Sequence, residues 1–352
     1  KGGRWRSTHC LHVEQVWVQP PPHGFNPDQY ICARLWAKAE DGALIPISVL
    51  SRRSSIATAT KDAADSTATT TDTDTDTPDT DAATTSSSLP RPLPSLLYGY
   101  GAYGACTEAG WDVERLALAD CGLLHAVCHV RGGGEMGRRW HEAGRRESKA
   151  TTFSDVLACV SALVEAGLAE PTALALEGRS AGGLLVGASL NLSPSTFAAA
   201  IASVPFLDAA GTLQDGTLPL TANEWEEFGN PNEVEGYESV LSFSPVHNVV
   251  SGAAYPATLL LPALNDARTG FWEAHKFAHA VRSNGHKHAA SRPVLVCTDM
   301  ESGHFRAADP KERASQRAKE LGFAVAALRT ALGLDLESGG LDNHKGLCAG
   351  DP

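Results

Sequence analysis

The residues best placed to do chemistry stand at Gly178-Arg179-Ser180-Ala181-Gly182, a G-x-S-x-G pattern. An apolar run, TALALE, precedes it, and a segment of helical period, GGLLVGASLNL, follows. A strand that turns this sharply into a helix strains the residue at the apex, and small neighbours let its hydroxyl stand clear of the backbone. The helix behind it aims its positive end at the same point. Ser180 is therefore expected to be a nucleophile, the plain alternative being an ordinary Gly-rich turn. A serine nucleophile needs a base, and the base needs an acid to orient it. Asp266 follows the apolar run PATLLLPAL, and His304 follows PVLVC after a short loop. The chain order Ser180, Asp266, His304 is one in which such triads occur. Asp299 and Glu301 are rival acids on the loop of the histidine itself, and Asn265-Asp266 also reads as a common turn pair.

These residues need a scaffold that brings three loops together. Beyond residue 90, short apolar runs alternate with longer segments of helical period. Strands are expected over 95–100, 123–130, 173–176, 198–204, 257–264 and 293–298, and helices over 113–121, 153–166, 182–192, 271–283 and 310–332. Continuous apolar strands alternating with helices imply a mostly parallel sheet covered on both faces, with its chemistry at the carboxyl ends of the strands. Earlier strands are expected over 13–18, 30–37 and 44–50, the last two joined by an Asp41-Gly42 turn.

Two further motifs point elsewhere. Gly99 to Gly104 and Gly132 to Gly137 both match G-x-G-x-x-G after a strand. A dinucleotide site needs an acid roughly 20 residues on, and after the first match that place holds His129, Val130 and Arg131. The second is followed by GRRWHEAGRRESK and not by an apolar-faced helix. His275 and His279 have the i,i+4 spacing of a metal pair, but no HExxH signature accompanies them, so they read as helix surface.

The chain has 352 residues with 29 Lys and Arg against 41 Asp and Glu, a net charge of −12. Nucleic-acid binders carry a basic surplus or stripe, so that class is disfavoured. No apolar run approaches the ~18 residues of a membrane span. Eight cysteines without a CxxC pair argue for free thiols, Cys128 and Cys297 in apolar runs reading as small buried hydrophobes. A reducing, cytoplasmic location is the corresponding expectation. Residues 54–88 are almost entirely Thr, Asp, Ala and Ser, and carry seven Asp and one Lys. Such a segment cannot bury enough apolar surface to order itself, and it lacks the Gly and Glu of a calcium loop. The expected organisation is N-terminal strands over 1–53, a disordered insert over 54–88, a catalytic domain over 89–335 and a flexible tail over 336–352.

From about Tyr30 onward, the insert apart, the chain resembles the catalytic domain of the prolyl oligopeptidase family, in particular its oligopeptidase B branch. The resemblance rests on eight collinear segments: LLYGYGAYGA, HVRGGGEMGRRWHEAG, GRSAGGLLVG, VPFLDAAGTL, LTANEWEEFGNPNE, SFSPVHNV, NDARTGFWEAHKFA and CTDMESGH. It implies an α/β-hydrolase fold and a serine peptidase acting on short peptides, with no cofactor or metal. It assigns Ser180, Asp266 and His304 to the triad, the Tyr100 hydroxyl and the Ala181 N–H to the oxyanion hole, and Arg268 to a substrate carbonyl. The proline-cutting branch has a Trp where this chain has Glu224, whereas the branch that cuts after Arg and Lys is similar to this chain at Glu224 and Glu226, which implies cleavage after Arg or Lys. Carboxylates in a partly desolvated pocket suit guanidinium, whereas the plain alternative is a solvated acidic face over Glu224, Glu226 and Glu227. An esterase or aminoacyl-peptidase on the same fold, or an inactive fragment, are the other readings. The chain departs from the family pattern at the insert, at Arg179 where Gly is usual, and at Phe305 where a small residue is expected. It also leaves no room for the β-propeller that precedes this domain in the family.

Overall fold

The structure, a computed structural model, describes residues 24–57, 91–286 and 290–334. The strand expected over 13–18, the insert beyond residue 57, and the tail over 336–352 lie outside the described residues.

Eight strands form one sheet in the order β1-β2-β4-β3-β5-β6-β7-β8. They are β1 (Tyr30–Lys38), β2 (Leu44–Arg52), β3 (Leu93–Gly99), β4 (Leu124–Cys128), β5 (Ala169–Arg179), β6 (Ala199–Ser203), β7 (Ala257–Leu261) and β8 (Val294–Val296). β2 runs antiparallel to both β1 and β4, and β3 to β8 are parallel. The helices are α1 (Arg53–Ala57), α2 (Val113–Asp120), α3 (Arg138–Glu142), α4 (Ala150–Glu165), α5 (Ala181–Leu192), α6 (Ala209–Thr212), α7 (Thr221–Phe228), α8 (Val234–Phe243), α9 (Phe271–Ser283) and α10 (Pro310–Ala331).

Both faces of the sheet are buried, which is why its strands read as unbroken apolar runs. Leu97, Leu174, Leu176, Ala200 and Ala202 turn to a core shared with α4, α5 and α9. Their neighbours Leu96, Ala173, Ala175, Ala199 and Ile201 turn to a second core under Leu118 of α2 and Ala324 and Leu328 of α10. This is the α/β-hydrolase architecture expected from the sequence. β4 and β5 leave β3 on opposite sides, so the strand order reverses beside β3 and opens a crevice at its carboxyl end.

The structure corrects one expectation about the thiols. Cys128 is buried, but Cys297 is exposed. It follows β8, the last strand of the sheet, where Leu295 is also exposed because no further strand covers that edge. His275 and His279 lie on the exposed face of α9, as expected. Among the described residues no helix is long and apolar enough to cross a membrane, and no group of three His, Cys, Asp or Glu is placed to hold a metal.

Candidate active site

Ser180 sits between the end of β5 and the start of α5 with φ 57° and ψ −120°. That left-handed backbone is uncommon for a residue with a side chain, and the surroundings must enforce it. They do so with main-chain bonds: Ser180 N–H donates to the Ser203 carbonyl at 2.9 Å, and its own carbonyl accepts from Gly183 at 2.8 Å and Phe206 at 3.2 Å. Gly178 is required here, because a Cβ on it would lie 2.0 Å from the Gly182 carbonyl oxygen. Ala181 opens α5, so its N–H is among the first-turn donors with no partner inside the helix.

Asp266 lies beyond β7 in a turn it caps itself. Its Oδ1 accepts from the N–H of Arg268 at 2.8 Å and of Thr269 at 3.1 Å. Its Oδ2 accepts from the Thr269 hydroxyl at 2.9 Å and lies 2.8 Å from His304 Nδ1. Burial alone would raise the Asp266 pKa, but the His304 contact and the two N–H donors outweigh it and hold the carboxyl below the usual range. The Thr269 hydroxyl also reaches the Val204 carbonyl at 2.9 Å, and Val204 has φ 39° just past β6. The rival Asp299 instead accepts from the N–H of Glu301 at 3.0 Å and Ser302 at 2.9 Å, closing its own turn. With Nδ1 committed to Asp266, the His304 ring has Nε2 left for a proton donor or acceptor.

Ser180, Ala181, Tyr100, Glu224, Asp266 and Arg268 line one cavity of about 380 Å³. Burial, aided by Tyr98, Glu224 and Glu227, pushes the Tyr100 phenol up to about 12. It therefore remains a protonated donor at neutral pH. Glu224 is half-buried in the first part of α7 and accepts from the Tyr103 hydroxyl at 2.6 Å. Desolvation raises the Glu224 carboxyl above its ordinary value; Tyr103 and Arg268 pull it back, and Glu227 adds to the rise. Arg268 lies with its guanidinium 5.2 Å from the centre of the Phe305 ring, so the bulky residue after His304 becomes a platform for Arg268.

Glu226 is not brought to this cavity. Its side chain is 76% exposed and pairs with Arg146. Glu227 turns the third way, into the interior, where its carboxylate meets Lys149 Nζ at 3.1 Å and His141 Nε2 at 2.7 Å. Lys149 escaped the sequence reading. Its fully buried ammonium also donates to the carbonyls of Gly101 at 2.7 Å and Gly144 at 3.1 Å, so it joins the loop carrying Tyr100 to the helix carrying Glu224. The two G-x-G-x-x-G loops pack on each other: a Cβ on Gly132, at φ 93°, would stand 2.1 Å from the Gly101 carbonyl oxygen. Their glycines serve this close approach. A second trio, Ser48, His129 and Glu135, has contacts of 2.8 and 3.4 Å. Ser48 sits inside β2 with a partner strand on either side, so it lacks an exposed elbow and a helix N-terminus behind it.

Comparisons with known proteins agree with this fold. The profile of the prolyl oligopeptidase family (Peptidase_S9) matches residues 111–331. The chain is 32% identical over 326 residues to dipeptidyl aminopeptidase BI of Pseudoxanthomonas mexicana, covering 92% of this chain and 40% of that protein. It is 36% identical to protease 2 of Moraxella lacunata, covering 72% of this chain and 36% of that protein. Oligopeptidase B from Leishmania major superposes with a TM-score of 0.74 at 36% identity, over 88% of this chain and 38% of that one. The chain thus spans about two fifths of the length of these relatives. Fold, family profile and sequence identity converge, and the chain belongs to the prolyl oligopeptidase family.

Proposed function

We propose that this chain carries a serine peptidase site that hydrolyses short peptides after Arg or Lys through an acyl-enzyme. In this reading His304 Nε2 takes the Ser180 proton as Oγ attacks the scissile carbonyl. The oxyanion that forms is held by the Ala181 N–H and the Tyr100 hydroxyl, each donor worth about 3 kcal/mol of barrier. His304 then protonates the leaving amine, and water attacks the acyl-enzyme with the same base. Asp266 fixes the His304 tautomer and stabilises its cationic form. Arg268, exposed at the rim of the cavity, is assigned to a substrate carbonyl. The likeness to oligopeptidase B supports short peptides as the substrates.

The observation that carries the specificity is Glu224. It is a carboxylate held by Tyr103 within the cavity that Ser180 lines. A guanidinium or ammonium entering that cavity would meet it in a partly desolvated setting, where a charged hydrogen bond is strong. Glu226, paired with Arg146 outside, takes no part in this reading.

Glu224→Gln is expected to lower kcat/KM for an Arg ester by about tenfold to a hundredfold, the worth of roughly 1.5–3 kcal/mol for a charged hydrogen bond. A neutral ester should be nearly unaffected. The same carboxyl gives a pH signature. It attracts a cation only when ionised, and its raised pKa means that ionisation is lost at a higher pH than for an ordinary Glu. The ratio of kcat/KM for Arg over neutral ester should therefore fall as pH drops through that raised pKa. Taking the ratio cancels any pH dependence common to both substrates. An equal loss on both esters, or a ratio that does not depend on pH, would remove Glu224 from the specificity pocket.

A further inference from the structure

The elbow departs from the family pattern at Arg179, and the structure gives that side chain a destination. Its Nη2 donates to the backbone carbonyl of His304. Among the described residues this is the only side-chain hydrogen bond made to the main chain of His304. The histidine stands on a loop between β8 and α10. Before His304 that loop is bonded to the segment of Asp266, where Asn265 Nδ2 donates to the Glu301 carbonyl at 3.2 Å and the Asn265 N–H to the Ser302 carbonyl at 3.4 Å, and further bonds tie it to α10. Arg306 Nη2 meets Glu320 Oε2 of α10 at 2.7 Å, and Gln316 Nε2 meets Asp299 Oδ2 at 3.1 Å. Glu320 is itself held by Arg317 Nη1 at 2.8 Å, and Arg317 Nη2 reaches Glu177 Oε2 of β5 at 3.0 Å. Both ends of this brace thus return to β5, the strand that delivers Ser180.

Arg179 is half-buried and tolerated there against opposition. Burial and the neighbouring Arg306 both act against its charge, and Glu320 supports it. The contact this bulky cation makes is to the backbone of His304, the residue whose ring is assigned to the Ser180 proton.

We propose that Arg179 is a positioning residue that ties the backbone of His304 to the residue preceding Ser180, and so sets the separation across which the proton moves. This inference rests on the peptidase reading above. It places no atom of Arg179 on the substrate; its effect passes through His304. Misplacement of a reacting group by about 1 Å is worth on the order of a hundredfold in rate.

The test uses the full chain with Arg179→Gly and Arg179→Lys, assayed on a neutral ester and an Arg ester and by the rate of Ser180 labelling with a fluorophosphonate. Arg179→Gly should lower kcat and the labelling rate by on the order of tenfold to a hundredfold on both esters, with KM nearly unchanged. Millimolar guanidinium should restore part of that loss in Arg179→Gly and have no effect on the wild type. Arg179→Lys, which keeps a donor, should retain more activity than Arg179→Gly. An unchanged kcat in both variants of an active protein overturns the inference while leaving the peptidase reading in place. So does a loss that follows a drop in Tm and is not rescued by guanidinium, or one confined to KM. A wild-type chain that is neither labelled nor active overturns the peptidase reading, and this inference falls with it.

Discussion

Ser180→Ala should lower kcat by on the order of a millionfold, the cost of removing a nucleophile that acts as a unit with its base, while the protein folds as before. The second half of that expectation follows from the structure. The bonds that fix the elbow are made by the main chain of Ser180 and its neighbours, so they survive the change. Alanine carries the same Cβ through the same positive φ, so no new strain is added. The measurement pairs ester hydrolysis with fluorophosphonate labelling and a thermal melt. Labelling that persists in Ser180→Ala, or that maps to Ser48 beside His129 in the wild type, would sink the assignment.

Asp266→Asn should cost on the order of 10⁴-fold in kcat, for a reason that can be read atom by atom. The carboxylate uses Oδ1 for two backbone N–H groups and Oδ2 for His304 and the Thr269 hydroxyl. An asparagine has only one acceptor oxygen. The two N–H donors claim it, which turns the amide NH₂ toward His304 Nδ1. The ring must then carry its proton on Nε2, the atom that should receive the Ser180 proton. The geometry survives and the tautomer is wrong. The comparison set is Asp299→Asn and Glu301→Gln. Each should retain most of the activity, since Asp299 serves its own turn and a bond to Gln316. If Asp299→Asn proves as costly as Asp266→Asn, the acid has been misassigned.

The proposed triad could be picked out in the sequence because each member sits where an apolar strand gives way to a loop, and a sheet buried on both faces marks those strands plainly. The prolyl oligopeptidase resemblance then fixed the oxyanion and pocket candidates. The residues around the pocket were harder to read, and α7 shows why. A short segment, NEWEEF, has too few apolar residues to declare a period, so its helix was not foreseen. The family resemblance names Glu224 and Glu226 together. On a helix of 3.6 residues per turn, positions two apart point in nearly opposite directions, and one carboxylate meets Tyr103 while the other meets Arg146. Glu227 turns inward to Lys149. In RRESKATT nothing separates a lysine bound for the interior from its exposed neighbours, because its partners are carbonyls of distant loops. Cys297 illustrates the same limit: an edge strand and a central strand can share one composition, and only topology tells which face is covered.

The backbone at Val204 bears on how far this protein could be hardened against heat. A β-branched residue at φ 39° is held against its own preference, and such a conformation stores about 1–3 kcal/mol. Its carbonyl is one of the two acceptors of the Thr269 hydroxyl, whose other acceptor is Asp266. Glycine would accept that positive φ without the steric cost that a β-branched residue bears, so stability could be gained at this position. The gain would come from letting the segment after β6 relax, and with it the hydroxyl that steadies the acid. Heat tolerance and the order of the proposed acid therefore both draw on the backbone strain at Val204.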